Sequence, residues 1–148
     1  MGLFGFGKKK VNQKVEELRQ AAGRIENKDT VEGAVALMVG VAFADGSCDP
    51  EEIAQLEAVI KTDDAFAQWQ SEVPAMVSKW IDKFKLFKRG AVADMEKELN
   101  DLKNDPSNAK KVLLCGLAVA DNGGIGDEEK AFLNNAAAAL GLRLDTYL

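Results

Sequence analysis

Histidine is absent from the 148 residues. That absence excludes Ser-His-Asp and Cys-His catalysis and every zinc site that uses an imidazole. Cysteine is scarce: Cys48 and Cys115 lack CxxC spacing, and two thiolates alone make a poor zinc site. Proline occurs three times, with no long Ser, Gln or Pro tract, so most of the chain is expected to be ordered. The longest apolar run, residues 35–44, is about half of the ~20 residues a membrane span needs. No secretory leader is read, so reduced thiols and a cytoplasmic location are expected. Walker loops, GxSxG and dinucleotide fingerprints are missing as well, and a non-enzymatic role is expected. A net charge of −5 argues against nucleic acid as a partner.

What is present reads as helix. The length suits one domain with a real core, divided into a leader over 1–10 and a helical domain over 11–148. In the leader, Leu3, Phe4 and Phe6 precede Lys8, Lys9 and Lys10. Two readings are open for it: a short segment or one docked on the fold, or a weak contact with an anionic membrane surface. Val11, Val15, Leu18 and Ala22 recur at helical spacing. Asp29, followed by Glu32, predicts a capped helix start, and the helix to about Ala44 is apolar on every side, as a central buried helix is. Asp49-Pro50-Glu51-Glu52 predicts a further start, with Asp as N-cap and Pro first in the helix. Asp63-Asp64 caps a short segment holding Phe66 and Trp69. A helix from Ser71 to Phe87 follows, ended or kinked at Gly90, and another from about Ala91 to Leu102. Asp105-Pro106 opens an apolar helix, Asp127-Glu128-Glu129 opens the last, and Gly141 stops it. No segment alternates with period two, so the expected fold is all-α: a single bundle of about seven to eight helices.

The sharpest signal is internal similarity. Gly40-Val-Ala-Phe-Ala-Asp45-Gly stands beside Gly116-Leu-Ala-Val-Ala-Asp121-Asn-Gly. Downstream, Gly46-Ser-Cys48-Asp-Pro-Glu-Glu52 matches Gly123-Gly-Ile125-Gly-Asp-Glu-Glu129. The repeat predicts a pseudo-twofold arrangement with the two apolar helices packed at its centre. The second loop carries one extra residue, so Asp121 or Asn122 corresponds to Asp45.

Clustered oxygens on a turn are what hard cations require. Asp45, Asp49, Glu51 and Glu52 form one cluster; Asp121, Asp127, Glu128 and Glu129 form the other. Both follow the C-terminus of an apolar helix, where carbonyls and the dipole favour positive charge. Each matches the second half of an EF-hand loop, from the residue before Gly to the last Glu. The first half is missing, since Val41 and Phe43 stand where ligands belong. A half-loop gives roughly two or three ligands, which a facing half-loop or a partner must complete. Capping is the competing reading: Asp49 and Asp127 are good N-caps and Glu suits a first turn without any metal. Capping leaves Asp45 and Asp121 unexplained, so both readings stand. Cys48 fills the apolar slot of Ile125, and Cys115, Trp69 and Trp80 read as core. Lys79, Lys83, Lys85, Lys88 and Arg89, with Asp82 and Asp94, read as a solvated face or as a docking site for an acidic partner.

Residues 44–52, with Ala42 and Leu56 around them, resemble the first signature of the TerB-like tellurite-resistance family. Residues 116–130 resemble the second, and the likeness runs from about Val11 to Leu140-Gly141. Related domains begin the membrane-anchored J-domain co-chaperone DjlA. The resemblance implies a roughly seven-helix fold with internal two-fold symmetry, and a role in tellurite resistance or a wider stress and phage-defence response. It further implies a divalent cation, Ca²⁺ favoured, held by the acidic loops, and action with other Ter-type proteins near the inner membrane. Carried over by position, the metal candidates are Asp45 and Glu52, Asp121 and Glu129, with Asp49, Asn122 and Asp127 beside them. The alternative is a metal-independent interaction module whose acidic loops dock a basic partner. The Asp-Asn-Gly of the second loop departs from the family's Asp-Gly.

Overall fold

Polar side-chain caps start three of the helices, and two helices stop at a glycine of positive φ. The computed structural model describes residues 10–46, 48–120 and 125–148, with side chains from Glu16 onward. Helix α1, Lys10–Ala22, stops at Gly23, whose φ of +81° suits a residue without Cβ. Helix α2 spans Lys28–Ala42. Its cap is Asn27, not the expected Asp29: the Asn27 backbone is extended, and its Oδ1 accepts from the backbone N–H groups of Asp29 (2.8 Å) and Thr30 (3.3 Å). The helix also ends two residues early, because Phe43 and Ala44 turn back onto the carbonyls of Gly40 and Val41.

Helix α3, Pro50–Thr62, starts at Asp49 as the sequence predicts. Asp63 caps the 3₁₀ turn Asp64–Trp69, accepting from Ala65 N–H at 2.9 Å. Helix α4 is Val73–Leu86 and α5 is Lys88–Asn100. The break between them lies at Phe87 alone (φ −157°, ψ 88°), three residues before the expected Gly90. Gly90 sits in the first turn of α5, and a Cβ there would come within 2.7 Å of the Phe87 ring. Its lack of a side chain gives the ring room and does not stop a helix. Helix α6, Pro106–Val119, is capped by Asp105. Helix α7, Asp127–Ala139, closes with a Schellman turn in which Leu142 N–H reaches Ala137 O and Gly141 (φ +75°) reaches Ala138 O. A 3₁₀ turn, Leu144–Tyr147, ends the chain, and no strand occurs among the described residues.

Helix α2 is the axis of the core. From Thr30 to Ala42 every residue but Glu32 is buried. Glu32 has its own partners, accepting from Trp80 Nε1 and pairing with Lys79 Nζ at 2.7 Å. The most extensive packing in the molecule is α2 on α6, with α4 on another side of α2 and α1 on α6. The Gly33 position lies against Leu102 and Leu99, with Val112 of α6 within 4.0 Å, and the Gly116 position lies against Leu37. The two helices meet in the same residue order, so they run parallel. The C-termini of α2 and α6, which precede the two acidic loops in the chain, therefore lie at one end of the helix pair. Each large apolar side chain fully buried here contributes about 1.5–3 kcal/mol, which explains why two helices without a polar face occupy the centre. Among the described residues no helix is long and apolar enough to cross a membrane.

Candidate functional site

The first loop is a tight turn followed by a helix start. Gly46 N–H donates to Phe43 O at 3.1 Å, and Gly46 has φ +133°, a conformation that excludes side chains. Asp49 and Glu52 then bond reciprocally. Asp49 Oδ1 accepts from Glu52 N–H at 2.8 Å, and Glu52 Oε1 accepts from Asp49 N–H at 3.0 Å. This is a capping box, so each carboxylate has one oxygen committed to the backbone. Asp45 is exposed on the turn. Cys48 is buried between turn and helix and packs with the core. Burial, and then the charges of Glu52, Asp49 and Asp45, push its thiol up to about 11. The three predicted ligands of the first loop thus act together on one sulfur. Lys88 Nζ, from α5, donates to Ala44 O at 3.4 Å, setting a fixed ammonium beside the same turn.

The second loop repeats the helix start with one change. Glu129 Oε1 accepts from Gly126 N–H at 3.2 Å, the bond that Glu52 makes to Asp49. Gly126, with extended backbone, is the N-cap, and Asp127 is the first helical residue. The expectation that Asp127 caps is therefore corrected: in the repeat register Asp127 takes the place of Pro50, and Gly126 that of Asp49. Glu129 is buried, while Asp127 and Glu128 are exposed. Asp121 and Asn122 lie outside the described residues.

Among the described residues no group of three or more carboxylates and thiols is placed to hold a metal ion. The first loop alone does not fit a hard cation, which takes six to eight oxygens: Asp49 and Glu52 each use an oxygen for capping, which leaves exposed Asp45 and Glu51 as the carboxylates of the cluster without such a bond.

Two further features escaped the sequence reading. A cleft between α1, α6 and the 3₁₀ turn is lined by Arg19, Arg24, Asp63, Asp64, Lys111 and Cys115. Its charges are largely paired, Arg19 with Asp63 and Lys111 Nζ with Arg24 O at 2.8 Å. The Cys115 thiol is pushed up by burial, against the opposing pull of Arg19. The other feature is the α4–α5 corner. There Leu86 and Phe87 stand exposed, although helical periodicity assigns Phe87 to the preceding helix. The signal available was the run Lys83-Phe-Lys-Leu-Phe-Lys-Arg89, whose successive apolar residues cannot all face one side of a helix.

In comparisons with known proteins, the family model described as tellurite resistance protein TerB matches residues 31–147. No curated protein and no solved structure matches. The matched region contains both acidic loops, both central helices and the closing turn, and on this ground the chain belongs to the TerB family of tellurite resistance proteins.

Proposed function

We propose that, within the tellurite-resistance role of its family, this chain is a non-enzymatic scaffold whose paired acidic loops take up a divalent cation, Ca²⁺ above others. It acts with other Ter-type proteins in the cytoplasm. The observation that supports this reading is the parallel packing of α2 and α6, which brings the helix C-termini that precede the two acidic loops to one end of the domain. Each loop follows a helix C-terminus, where the dipole favours a cation. Since the first loop cannot complete a shell, the reading needs oxygens from Asp121 or Asn122, or from a partner. A cation would relieve the repulsion among Asp45, Asp49 and Glu52. Loops of this sign repel oxyanions, so tellurite is not the ligand.

A metal-independent reading has one observation in its favour. Asp49, Glu52 and Glu129 already serve the helix starts, and exposed Asp45, Asp127 and Glu128 then remain as an acidic docking surface for a basic partner. Calorimetric titration of the full chain with Ca²⁺ separates the two. Saturable heat in the wild type, abolished by Asp45→Ala with Asp121→Ala, is the expected result. No heat in the wild type, together with Ter-type partner binding that survives EDTA, overturns the cation reading.

A further inference from the structure

Among the described residues the large apolar side chains left exposed are Leu86 at 88% and Phe87 at 63%, and they are adjacent. They occupy the corner where α4 ends and α5 begins, with Phe87 the single non-helical residue between the helices. Gly90 makes room for the Phe87 ring, so this ring has a defined seat on the outside of the fold. Lys85, Lys88 and Arg89 surround the pair in the chain. Neither Lys85 nor Arg89 has a hydrogen-bond or ion-pair partner among the described residues, and Lys83 is held by Asp94 at 2.7 Å. The acids nearby are Asp82, one turn back on α4, and Asp45, in the turn whose Ala44 carbonyl Lys88 touches. A chain of net charge −5 thus carries a cationic corner with an apolar tip.

From this arrangement we propose that the Leu86–Phe87 corner is a contact site for an anionic lipid surface. Apolar tips that enter the headgroup boundary, rimmed by cations that stay in it, are the chemistry of interfacial attachment. A protein partner fits less well. A stable protein interface buries about 1,200–2,000 Å², whereas a phenylalanine buries roughly 150–250 Å², and among the described residues no further exposed large apolar side chain extends the patch. A bilayer needs no complementary groove. Each basic residue at an anionic surface raises partition about five-fold. The site requires neither acidic loop to hold a metal, so it stands apart from the cation reading.

The test is sedimentation of the full chain with phosphatidylcholine vesicles containing about 30% phosphatidylglycerol, against phosphatidylcholine alone, at about 0.1 M salt and with EDTA throughout. The wild type should sediment with the anionic vesicles and be released by high salt. Leu86→Ser with Phe87→Ser should weaken binding at least ~10-fold, and Lys85→Gln with Arg89→Gln about 25-fold. Because these side chains are exposed, both variants should keep the helical circular dichroism and melting midpoint of the wild type. Lys8→Gln, Lys9→Gln and Lys10→Gln together give a comparison for the leader. No sedimentation of the wild type overturns the proposal, as does loss only in the leader variant. Binding of the wild type to an acidic amphipathic peptide, but not to the vesicles, overturns it in favour of a protein partner. EDTA keeps a failure here separate from a failure of the cation reading.

Discussion

Cys48 reports on the first loop better than any carboxylate in it. Its thiol is held near 11 by burial first, and then by Glu52, Asp49 and Asp45. A thiol so placed is about one part in a thousand ionised at pH 8, and the thiolate is the reactive species. Alkylation of Cys48, followed peptide by peptide in a mass spectrometer, should therefore rise with pH well beyond the range of a free cysteine. Asp45→Asn removes one of the three negative charges and leaves the capping box intact, so it should move the profile to lower pH. A bound divalent cation should do the same in the wild type by offsetting all three. A Cys48 profile centred near the ordinary ~8.5 would mean that the sulfur is neither buried nor faced by these carboxylates, and an unshifted profile in Asp45→Asn would mean that Asp45 does not act on it. The sequence placed Cys48 correctly as packing, since it occupies the slot of Ile125. It could not give the surrounding field, which arises only when the turn at Gly46 folds the acids back over the sulfur.

At the scale of elements, what the sequence made plain was whatever local chemistry decides. Asp49, Asp63 and Asp105 cap where expected, because an acceptor followed by a helix-compatible run satisfies free N–H groups wherever it occurs. Gly141 stops α7 for an equally local reason. The errors fall where backbone conformation outweighs side-chain identity. Asn27 took the cap from Asp29, Gly126 took it from Asp127, and the α4–α5 break moved to Phe87. The apolar periodicity of α2 and α6 identified the centre, but their parallel order is a matter of tertiary packing. The glycines on these helices give the clearest test of that packing. At Gly116 an added methyl would meet Leu37 Cδ2 at 2.7 Å and Cγ at 2.8 Å, in a fully buried side chain with nowhere to go. Gly116→Ala should destabilise by about 1–3 kcal/mol from overpacking, even though alanine gains roughly 1 kcal/mol in helix propensity. At Gly40 the nearest atoms belong to the tip of Phe132, which is partly exposed and able to swing away. Gly40→Ala should therefore cost less, and urea midpoints of the two variants give the order. The reverse order would mean that α2 and α6 do not meet at Leu37.

Across the whole molecule, the excess of acid over base has a consequence where α2, α4 and α5 converge. Glu98 on α5 is partly buried, and burial, with Glu32, Asp101 and Asp29 as further causes, raises its pKa above the ordinary carboxylate value; Lys79 opposes them. A carboxyl whose pKa is higher in the folded state binds its proton more tightly there than in the unfolded chain. Its stabilising contribution is complete below the unfolded pKa, and it is lost as pH rises through the folded one. At neutral pH, then, Glu98 is a charge the fold would be better without. The acids that work in the opposite direction, such as Asp94 with its pKa lowered by Lys83, make the total pH profile a poor guide to this one group. Comparing wild type with Glu98→Gln isolates it, because glutamine keeps the shape and removes the titration. The variant should be more stable at pH 7, with the difference shrinking steadily as pH falls through the carboxylate range. Urea unfolding at pH 4, 5.5 and 7 reads this directly. A constant difference between the two proteins would mean that Glu98 ionises as freely in the fold as in the open chain, and that neither burial nor the acids of α2 and the end of α5 weigh on it there.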